Sequence, residues 1–286
     1  MKQQQTRLFV VIDPTAAHQL ALVKALLIAK LGDCHIHAFL CIHEKIEKSG
    51  AYASRKDFKH HSLARATAML EEEMRPCRIS EVSYSTEVVW NSDWVETLLR
   101  SLRKSNSDLL IKSSYQHSSA RRFFSKTSDY HLIRHCPCPI LFTHQGQEWQ
   151  SDRVLACLDL ESTDAGHARL NKAIVRDAAA FVSIMGMDLY IASVCEAEVD
   201  LDDHALRARY GELAPTQLGK TYDLGGDRVL LRQGSVVETL QAICAELDPA
   251  IVVIGTLARH GIEGKLIGNT AEKLLDVIDA DLLTIP

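Results

Sequence analysis

Short apolar runs alternate along the chain with longer segments whose apolar residues recur at helical spacing. In the first half, the runs predict five strands: Leu8 to Ile12, Cys34 to Ile42, Val82 to Val89, Leu109 to Ile111 and Pro139 to Phe142. The segments between them predict helices over Ala16 to Lys30, Ser62 to Met74, Asp93 (as the cap) to Arg103, and Asp129 to Arg134. The polar stretch from His43 to Lys59 predicts a mobile loop.

The second half repeats this order. Its predicted strands are Val154 to Leu158, Leu189 to Cys195, Arg228 to Leu231, Ile251 to Ile254 and Leu282 to Ile285. Its helices are predicted over His167 to Met185, Asp203 to Leu218 and Ser235 to Leu247, with one more before the last strand. Near-continuous apolar strands that alternate with helices are typical of a parallel sheet covered on both faces. Each half is therefore predicted to be a doubly wound α/β domain with a five-stranded parallel sheet.

The repeat is also visible in the residues themselves. Val95-Glu96-Thr97-Leu98 recurs 142 positions later as Val237-Glu238-Thr239-Leu240, and the same offset places Leu109 to Ile111 on Ile251 to Val253. A repeat of this length corresponds to a domain and not to a solenoid unit. We predict two domains, residues 1–146 and 147–286, joined by a short polar linker.

Composition narrows the functional class. Hydrophobic residues make up 47% and charged residues 24% of the 286 residues, as in globular proteins. The net charge of −5 provides no basic stripe, which argues against nucleic acid as a partner. The N-terminus does not resemble a signal peptide, and no apolar run approaches the roughly 20 residues of a membrane helix. These features predict a cytoplasmic protein without a membrane span, whose eight cysteines are reduced and mostly buried.

One loop of the second half has the residues of a phosphate site. Ligands of doubly wound sheets bind beyond the carboxyl ends of the strands, where the strand order reverses. Asp159 follows the first strand of the second half, and Gly255 ends the fourth. A glycine there permits positive φ and close approach to a ligand. Gly268-Asn269-Thr270 then opens the last helix, whose free N–H groups favour an anion. The first half has Ser113 and Lys126 in place of the two glycines, so only the second half is predicted to bind phosphates.

This loop resembles the ATP-binding signature of the universal stress protein family, Gly-x2-Gly-x9-Gly followed by Ser, Thr or Asn. The run here is Gly255-x2-Ala258-x9-Gly268-Asn269, with alanine in place of the second glycine. The resemblance covers both halves and includes the segments Gly268 to Asp276 and Asp281 to Ile285. It implies two tandem Rossmann-like, adenine nucleotide alpha hydrolase-like domains, of which the first is degenerate. It also implies an intramolecular pseudo-dimer through the last strands of the two halves, and it leaves a homodimer open.

The resemblance also implies a ligand and its contacts. ATP or another nucleotide would place its adenine end at Asp159, and Gly255, Gly268 and Asn269 would contact the ribose and phosphates, with Ala258 and Thr270 in the same cradle. The Cβ of Ala258 would either disfavour a positive φ, at about 1 kcal/mol or more, or narrow the approach to a phosphate. No metal-ligating motif accompanies the loop, so a metal is not predicted.

Several alternatives remain open from the residues. Asp13 and Asp159 can serve as helix caps or turn residues, and Gly268 can serve only the helix start. Leu257-Ala258 is apolar for a phosphate loop, which would suit a phosphate-bearing lipid or a nucleotide-sugar-linked lipid in a carrier or sensor.

Catalysis and a zinc site have weaker support. A weak ATPase is a third hypothesis, but the loop lacks a catalytic lysine and a Mg²⁺ motif, which favours a binding and signalling protein over an enzyme. Cys136 and Cys138 follow His135, yet a structural zinc site needs a second pair of ligands. We therefore interpret both as residues at a strand entry.

Overall fold

The structure is a computed structural model that describes residues 5–44, 54–114, 122–144, 146, 148–160, 165–195, 215–256 and 270–286, with the backbone alone at 122–126 and 215–217. The chain divides into two compact units, Met1–Glu148 and Trp149–Pro286. Each unit is built around its own parallel sheet.

The first unit has five strands in the order β3-β2-β1-β4-β5, with every described pairing parallel. The strand order reverses between β1 and β4. The elements are β1 Thr6–Val11, α1 Leu20–Leu31, β2 Cys34–Ile42, α2 Arg55–Glu73, α3 Arg75–Ile79, β3 Tyr84–Trp90, α4 Trp94–Ser105, β4 Leu109–Ser113, α5 Arg122–His135 and β5 Ile140–Thr143.

The second unit has the same order, β10-β9-β6-β7-β8, also with parallel pairings. Its elements are β6 Arg153–Cys157, α6 Ala165–Met185, β7 Asp188–Cys195, α7 Pro215–Thr221, a 3-10 turn Gly226–Arg228, β8 Val229–Gln233, α8 Val236–Leu247, β9 Ile251–Gly255, α9 Thr270–Val277 and β10 Asp281–Ile285. The predicted fold, a doubly wound five-stranded sheet in each half, is confirmed.

The central strands are buried on both faces. Leu8, Phe9 and Val10 of β1 are at most 1% exposed, and Ile251 to Val253 of β9 are fully buried. Because helices cover both faces of each sheet, neither face of a central strand contacts solvent. These strands are therefore continuous apolar runs and not alternating ones. All eight cysteines lie in the described residues outside any disulfide, five of them buried and Cys41, Cys138 and Cys244 half-buried.

Some helix starts differ from the prediction. Helix α1 begins at Leu20 and not at Ala16, because the Asp13 carboxylate forms a turn by accepting from the Thr15 N–H at 2.8 Å. Helix α2 begins at Arg55, inside the predicted loop, because the Ser54 hydroxyl caps it by accepting from the Asp57 N–H. These starts depend on local hydrogen bonds and not on apolar periodicity.

Two other helices differ in extent. Helix α5 begins at Arg122 and not at Asp129, and the short helix α3 was not predicted. The predicted helix from Asp203 to Leu218 falls largely outside the described residues, and α7 from Pro215 is the part described there.

Candidate functional site at the strand crossover of the second unit

The carboxyl ends of β6 and β9 meet where the strand order of the second unit reverses. The two strands pair in parallel, with Cys157 beside Ile254. Asp159 lies two residues beyond Cys157, and Gly255 directly follows Ile254. The structure therefore brings Asp159 and Gly255 to one edge of the sheet, which is the place where doubly wound folds bind ligands. We call Asp159, Gly255, Thr256 and the start of α9 the crossover site.

The backbone of Asp159 is held on both sides by one amide side chain. The Asp159 N–H donates to Asn171 Oδ1 at 3.2 Å, and Asn171 Nδ2 donates to the Asp159 carbonyl at 2.7 Å. Asn171 is 8% exposed and belongs to α6. A buried amide that satisfies both backbone groups fixes the direction in which the Asp159 side chain leaves the sheet.

The carboxylate of Asp159 has a histidine beside it. His167 Nε2, from the first turn of α6, lies 3.5 Å from Asp159 Oδ2. The Asp159 side chain is 38% exposed and that of His167 is 14% exposed. The carboxylate is thus partly exposed, and a carboxylate can accept a hydrogen bond from a ligand hydroxyl or amino group.

Gly255 is required by packing. Its φ is not positive, so the predicted conformational reason does not apply here. A Cβ at this position would lie 2.2 Å from Leu170 Cδ2 and 2.6 Å from Leu170 Cγ. The missing side chain therefore lets α6 approach the end of β9 closely, next to Asn171 on the same helix.

Thr256 and Thr270 flank residues 257–269, and they lie at the end of β9 and at the start of α9. Thr256 is buried, and its N–H donates to the Ile285 carbonyl at 2.8 Å. Thr270 is half-buried and is the first residue of α9. Ala258, Gly268 and Asn269 lie outside the described residues, so their contacts with ribose and phosphates stay predictions.

Asp13 is the residue of the first unit that corresponds to Asp159, and its backbone is also bonded on both sides by one amide side chain. Gln19 Oε1 accepts from the Asp13 N–H at 3.1 Å, and Gln19 Nε2 donates to the Asp13 carbonyl at 2.8 Å. Here, however, the carboxylate accepts from both the N–H and the hydroxyl of Thr15, at 2.8 and 2.6 Å. Asp13 is therefore a turn residue, one of the two interpretations that the sequence left open.

Ser113 occupies the position of Gly255 in the first unit. Its hydroxyl accepts from the Ala21 N–H at 3.2 Å and from the Thr143 hydroxyl at 3.3 Å. These bonds join α1, β4 and β5 near the point where the strand order of the first unit reverses. Where the second unit has a glycine, the first unit therefore has a side chain that is hydrogen-bonded to neighbouring elements.

A buried ion pair joins β4 to α5 in the first unit. Lys112 Nζ lies 2.7 Å from Asp129 Oδ1, and the two side chains are 9% and 1% exposed. Lys112 also donates to the Ser113 carbonyl at 2.8 Å, and Ser114 donates to Asp129 Oδ2 at 2.9 Å. The repeat places Ile254 and Ala271 at the two charged positions, and both are buried. In the first unit β4 is thus joined to α5 by a pair of charges, while the second unit has buried apolar residues at both positions.

The sequence predicted Asp159 and Gly255 as site residues, but it did not predict the side chains that lie beside them. Asn171 and His167 lie in the middle and the first turn of a helix, and no spacing rule connects them to Asp159. A signal for Lys112 was present, because a lysine in an otherwise apolar buried strand requires a partner.

Comparison with known proteins places the chain in a family. The universal stress protein family model matches residues 6–144 and again residues 151–286. The chain belongs to the universal stress protein family. It carries the family domain twice, once in each unit.

Curated relatives share this tandem length. Universal stress protein E of Photorhabdus laumondii is 25% identical over 97% of this chain and 94% of its own length. Universal stress protein E of Escherichia coli K12 is also 25% identical, over 97% of this chain and 93% of its own. Full-length matches of this kind indicate that both units, and not one, are shared with these proteins.

Solved structures agree on the fold. A putative universal stress protein from Pseudomonas aeruginosa UCBPP-PA14 superposes with a TM-score of 0.79 at 27% identity, covering 99% of this chain and 93% of its own. A universal stress protein from Archaeoglobus fulgidus superposes with a TM-score of 0.68 at 14% identity, covering 98% of this chain and 95% of its own, a likeness of fold alone.

None of the described helices combines the length and apolarity that a bilayer crossing requires. Within the same described ranges, no cluster of three or more His, Cys, Asp or Glu side chains is placed to hold a metal ion.

Proposed function

We propose that the second unit binds ATP or another nucleotide at the crossover site, and that the chain acts in a stress response as a binding and signalling protein. The observation that carries the proposal is the oriented and partly exposed carboxylate of Asp159 beside the end of β9. A nucleotide suits the site because it joins a base and sugar rich in hydrogen-bond donors to an anionic tail.

The anionic tail would lie toward the start of α9. A helix N-terminus presents free N–H groups and the positive end of the helix dipole. Gly268 and Asn269 directly precede Thr270, so the predicted phosphate contacts and the helix start are continuous in the chain. Asp159 and α9 would then hold the two ends of one ligand.

The first unit is proposed not to bind a nucleotide. Its Asp13 carboxylate is engaged by Thr15, and its Ser113 hydroxyl is engaged by Ala21 and Thr143. A ligand would have to break these bonds and replace each one. We expect a single nucleotide per chain for this reason.

Calorimetric titration with ATP and ADP tests the proposal, together with native mass spectrometry of the protein as purified. We expect heat of binding for one nucleotide per chain. Ala258→Gly should strengthen binding about fivefold if a strain of about 1 kcal/mol is relieved. Absence of heat in both proteins contradicts the proposal. A co-purified acyl chain would instead favour the lipid carrier.

Catalysis is tested on the same samples. We expect phosphate release from ATP to equal the buffer rate in the wild type and in Ala258→Gly. A protein-dependent rate that Ala258→Gly increases would establish a weak ATPase and contradict the non-enzymatic proposal.

A further inference from the structure

Two thiols of the first unit lie in contact at the turn between α5 and β5. The Sγ atoms of Cys136 and Cys138 are 3.8 Å apart. Cys136 directly follows α5, and its N–H donates to the Leu132 carbonyl at 2.9 Å, which anchors it to the helix end. Pro137 and Pro139 restrict the backbone between and after the two cysteines. The sulfur atoms are therefore held near each other by the fold.

The two thiols are chemically unequal. The pKa of Cys136 is lowered by its hydrogen bond with the Cys138 thiol, by the backbone N–H of Cys138 and by the positive charge of Arg103. The pKa of Cys138 is raised by the same hydrogen bond and by burial. Cys136 is thus the member of the pair that ionises first.

Other cysteines of the chain differ in this respect. Burial raises the pKa of Cys77 to about 11 and that of Cys244 to about 12, and it raises the pKa of Cys157 well above its usual value. The charge of Cys244 also raises the pKa of Cys157, but among the described residues none of these three forms a sulfur–sulfur hydrogen bond. They provide internal controls for any reaction that depends on a paired thiolate.

We propose that Cys136 and Cys138 form a reversible redox site that hydrogen peroxide oxidises to an intramolecular disulfide. The Cys136 thiolate attacks one peroxide oxygen, the O–O bond breaks, and hydroxide leaves and takes up a proton to form water. The resulting sulfenic acid of Cys136 is attacked by the Cys138 sulfur, the S–S bond forms, and the sulfenic hydroxyl leaves with the Cys138 proton as a second water. Two thiols are oxidised by two electrons, and one peroxide is reduced to two waters.

Distances and exposure fit this chemistry. A disulfide requires an S–S length of about 2.04 Å and a Cα separation of about 4.4 to 6.8 Å, and two peptide units span about 7 Å at most. The sulfurs therefore need to approach by roughly 1.8 Å, within reach of side-chain rotation. Cys136 is 7% exposed, so the oxidant must be small, and Cys138 is half-buried.

The test is peptide mapping of the full-length protein. The reduced protein is treated with hydrogen peroxide, alkylated and digested with trypsin. The segment from His135 to Arg153 contains both cysteines and no other. We expect this peptide to lose about 2 Da, to resist alkylation, and to return to its original mass after treatment with dithiothreitol.

Variants separate the two steps. Cys138→Ser should stop at the sulfenic acid of Cys136, which dimedone traps, and Cys244→Ser should leave the disulfide unchanged. An unmodified peptide at a peroxide concentration that oxidises free cysteine would overturn the proposal. So would a disulfide from either cysteine to a different partner, or a Cys138→Ser protein in which dimedone labels other cysteines but not Cys136.

Discussion

The two units differ in one side chain at the point where the strand order reverses, which is serine in the first unit and glycine in the second. Ser113 uses its hydroxyl to join α1, β4 and β5, while Gly255 leaves room for Leu170. Around them, the first unit has an ion pair where the second has Ile254 and Ala271. The described residues of the two units thus differ in the side chains that surround the reversal of strand order, and our proposal of a ligand in the second unit depends on this difference.

The buried pair of Lys112 and Asp129 should be costly to break. Lys112→Ala leaves a carboxylate that is 1% exposed without its cation, and we expect the free energy of unfolding of the first unit to fall by about 3–5 kcal/mol. Urea denaturation followed by circular dichroism measures this. The control is Arg176→Ala, since Arg176 pairs with Asp177 from a side chain that is 73% exposed and should change stability by less than about 1 kcal/mol. Equal effects of the two variants would contradict the assignment.

His35 should make the stability of the first unit depend on pH. Its pKa is lowered from the usual 6.5 by burial, by His37 and by Arg7. The folded state then binds fewer protons than the unfolded state below pH 6.5, so stability falls as the pH falls through this range toward the folded pKa. The two ring nitrogens form hydrogen bonds with the hydroxyl groups of Ser83 at 2.6 Å and Ser85 at 2.9 Å.

The variant His35→Gln tests this dependence. Glutamine keeps hydrogen-bonding capacity but does not titrate, so the loss of stability between pH 7 and pH 5 should be smaller than in the wild type. Thermal unfolding across this range measures it. Parallel curves for the two proteins would show that His35 does not contribute.

Candidate site residues could be predicted from the sequence where they lie at the end of a strand. Asp159 and Gly255 were predicted as site residues because a strand ends at each, and the fold class fixes which ends meet. Asn171, His167 and the partner of Lys112 were not, because their contacts run through space between elements. Their identification requires the position of α6 and α5 on the sheet.

At the scale of elements, Gly255 sets how closely α6 packs on β9. Gly255→Ala should lower the stability of the second unit by about 1–3 kcal/mol, because its Cβ overlaps Leu170. Leu170→Ala should relieve the overlap, so the double variant should be more stable than the sum of the single effects predicts, by at least about 0.5 kcal/mol. Additive effects in denaturation experiments would contradict this packing.

The two Val-Glu-Thr-Leu helices offer a matched pair of caps. Asp93 caps α4 by accepting from the Glu96 N–H at 3.2 Å, whereas Ser235, at the same position of α8, makes no side-chain cap bond. Asp93→Ala should therefore cost about 1 kcal/mol, and Ser235→Ala should cost clearly less. Denaturation midpoints compare them, and a larger effect at Ser235 would reject the difference.

The agreement between predicted and observed bounds differs among the helices and strands. Strand β2 begins and ends at the predicted residues, because alternate burial and flanking polar residues mark both ends. Helices α1 and α2 began elsewhere, since Asp13 and Ser54 act through turns and caps that compete with helical periodicity. Patterns of apolar residues predict where an element lies better than they predict its first turn.

At the scale of the whole molecule, duplication has produced two units of one fold with different crossovers. Both match the family model, and the curated relatives span both. The predicted pairing of the two halves through their last strands stays a prediction. From the difference between the crossovers we propose one functional consequence, a single ligand site per chain in the second unit.

The most direct test of this claim compares the two equivalent aspartates by calorimetric titration with ATP. The wild type should bind one nucleotide per chain, Asp159→Ala should bind at least about tenfold more weakly, a loss of about 1.4 kcal/mol, and Asp13→Ala should bind as the wild type does. Thermal melting of each variant verifies that it is folded. Two nucleotides per chain, no binding at all, or an equal loss in Asp13→Ala would contradict the account.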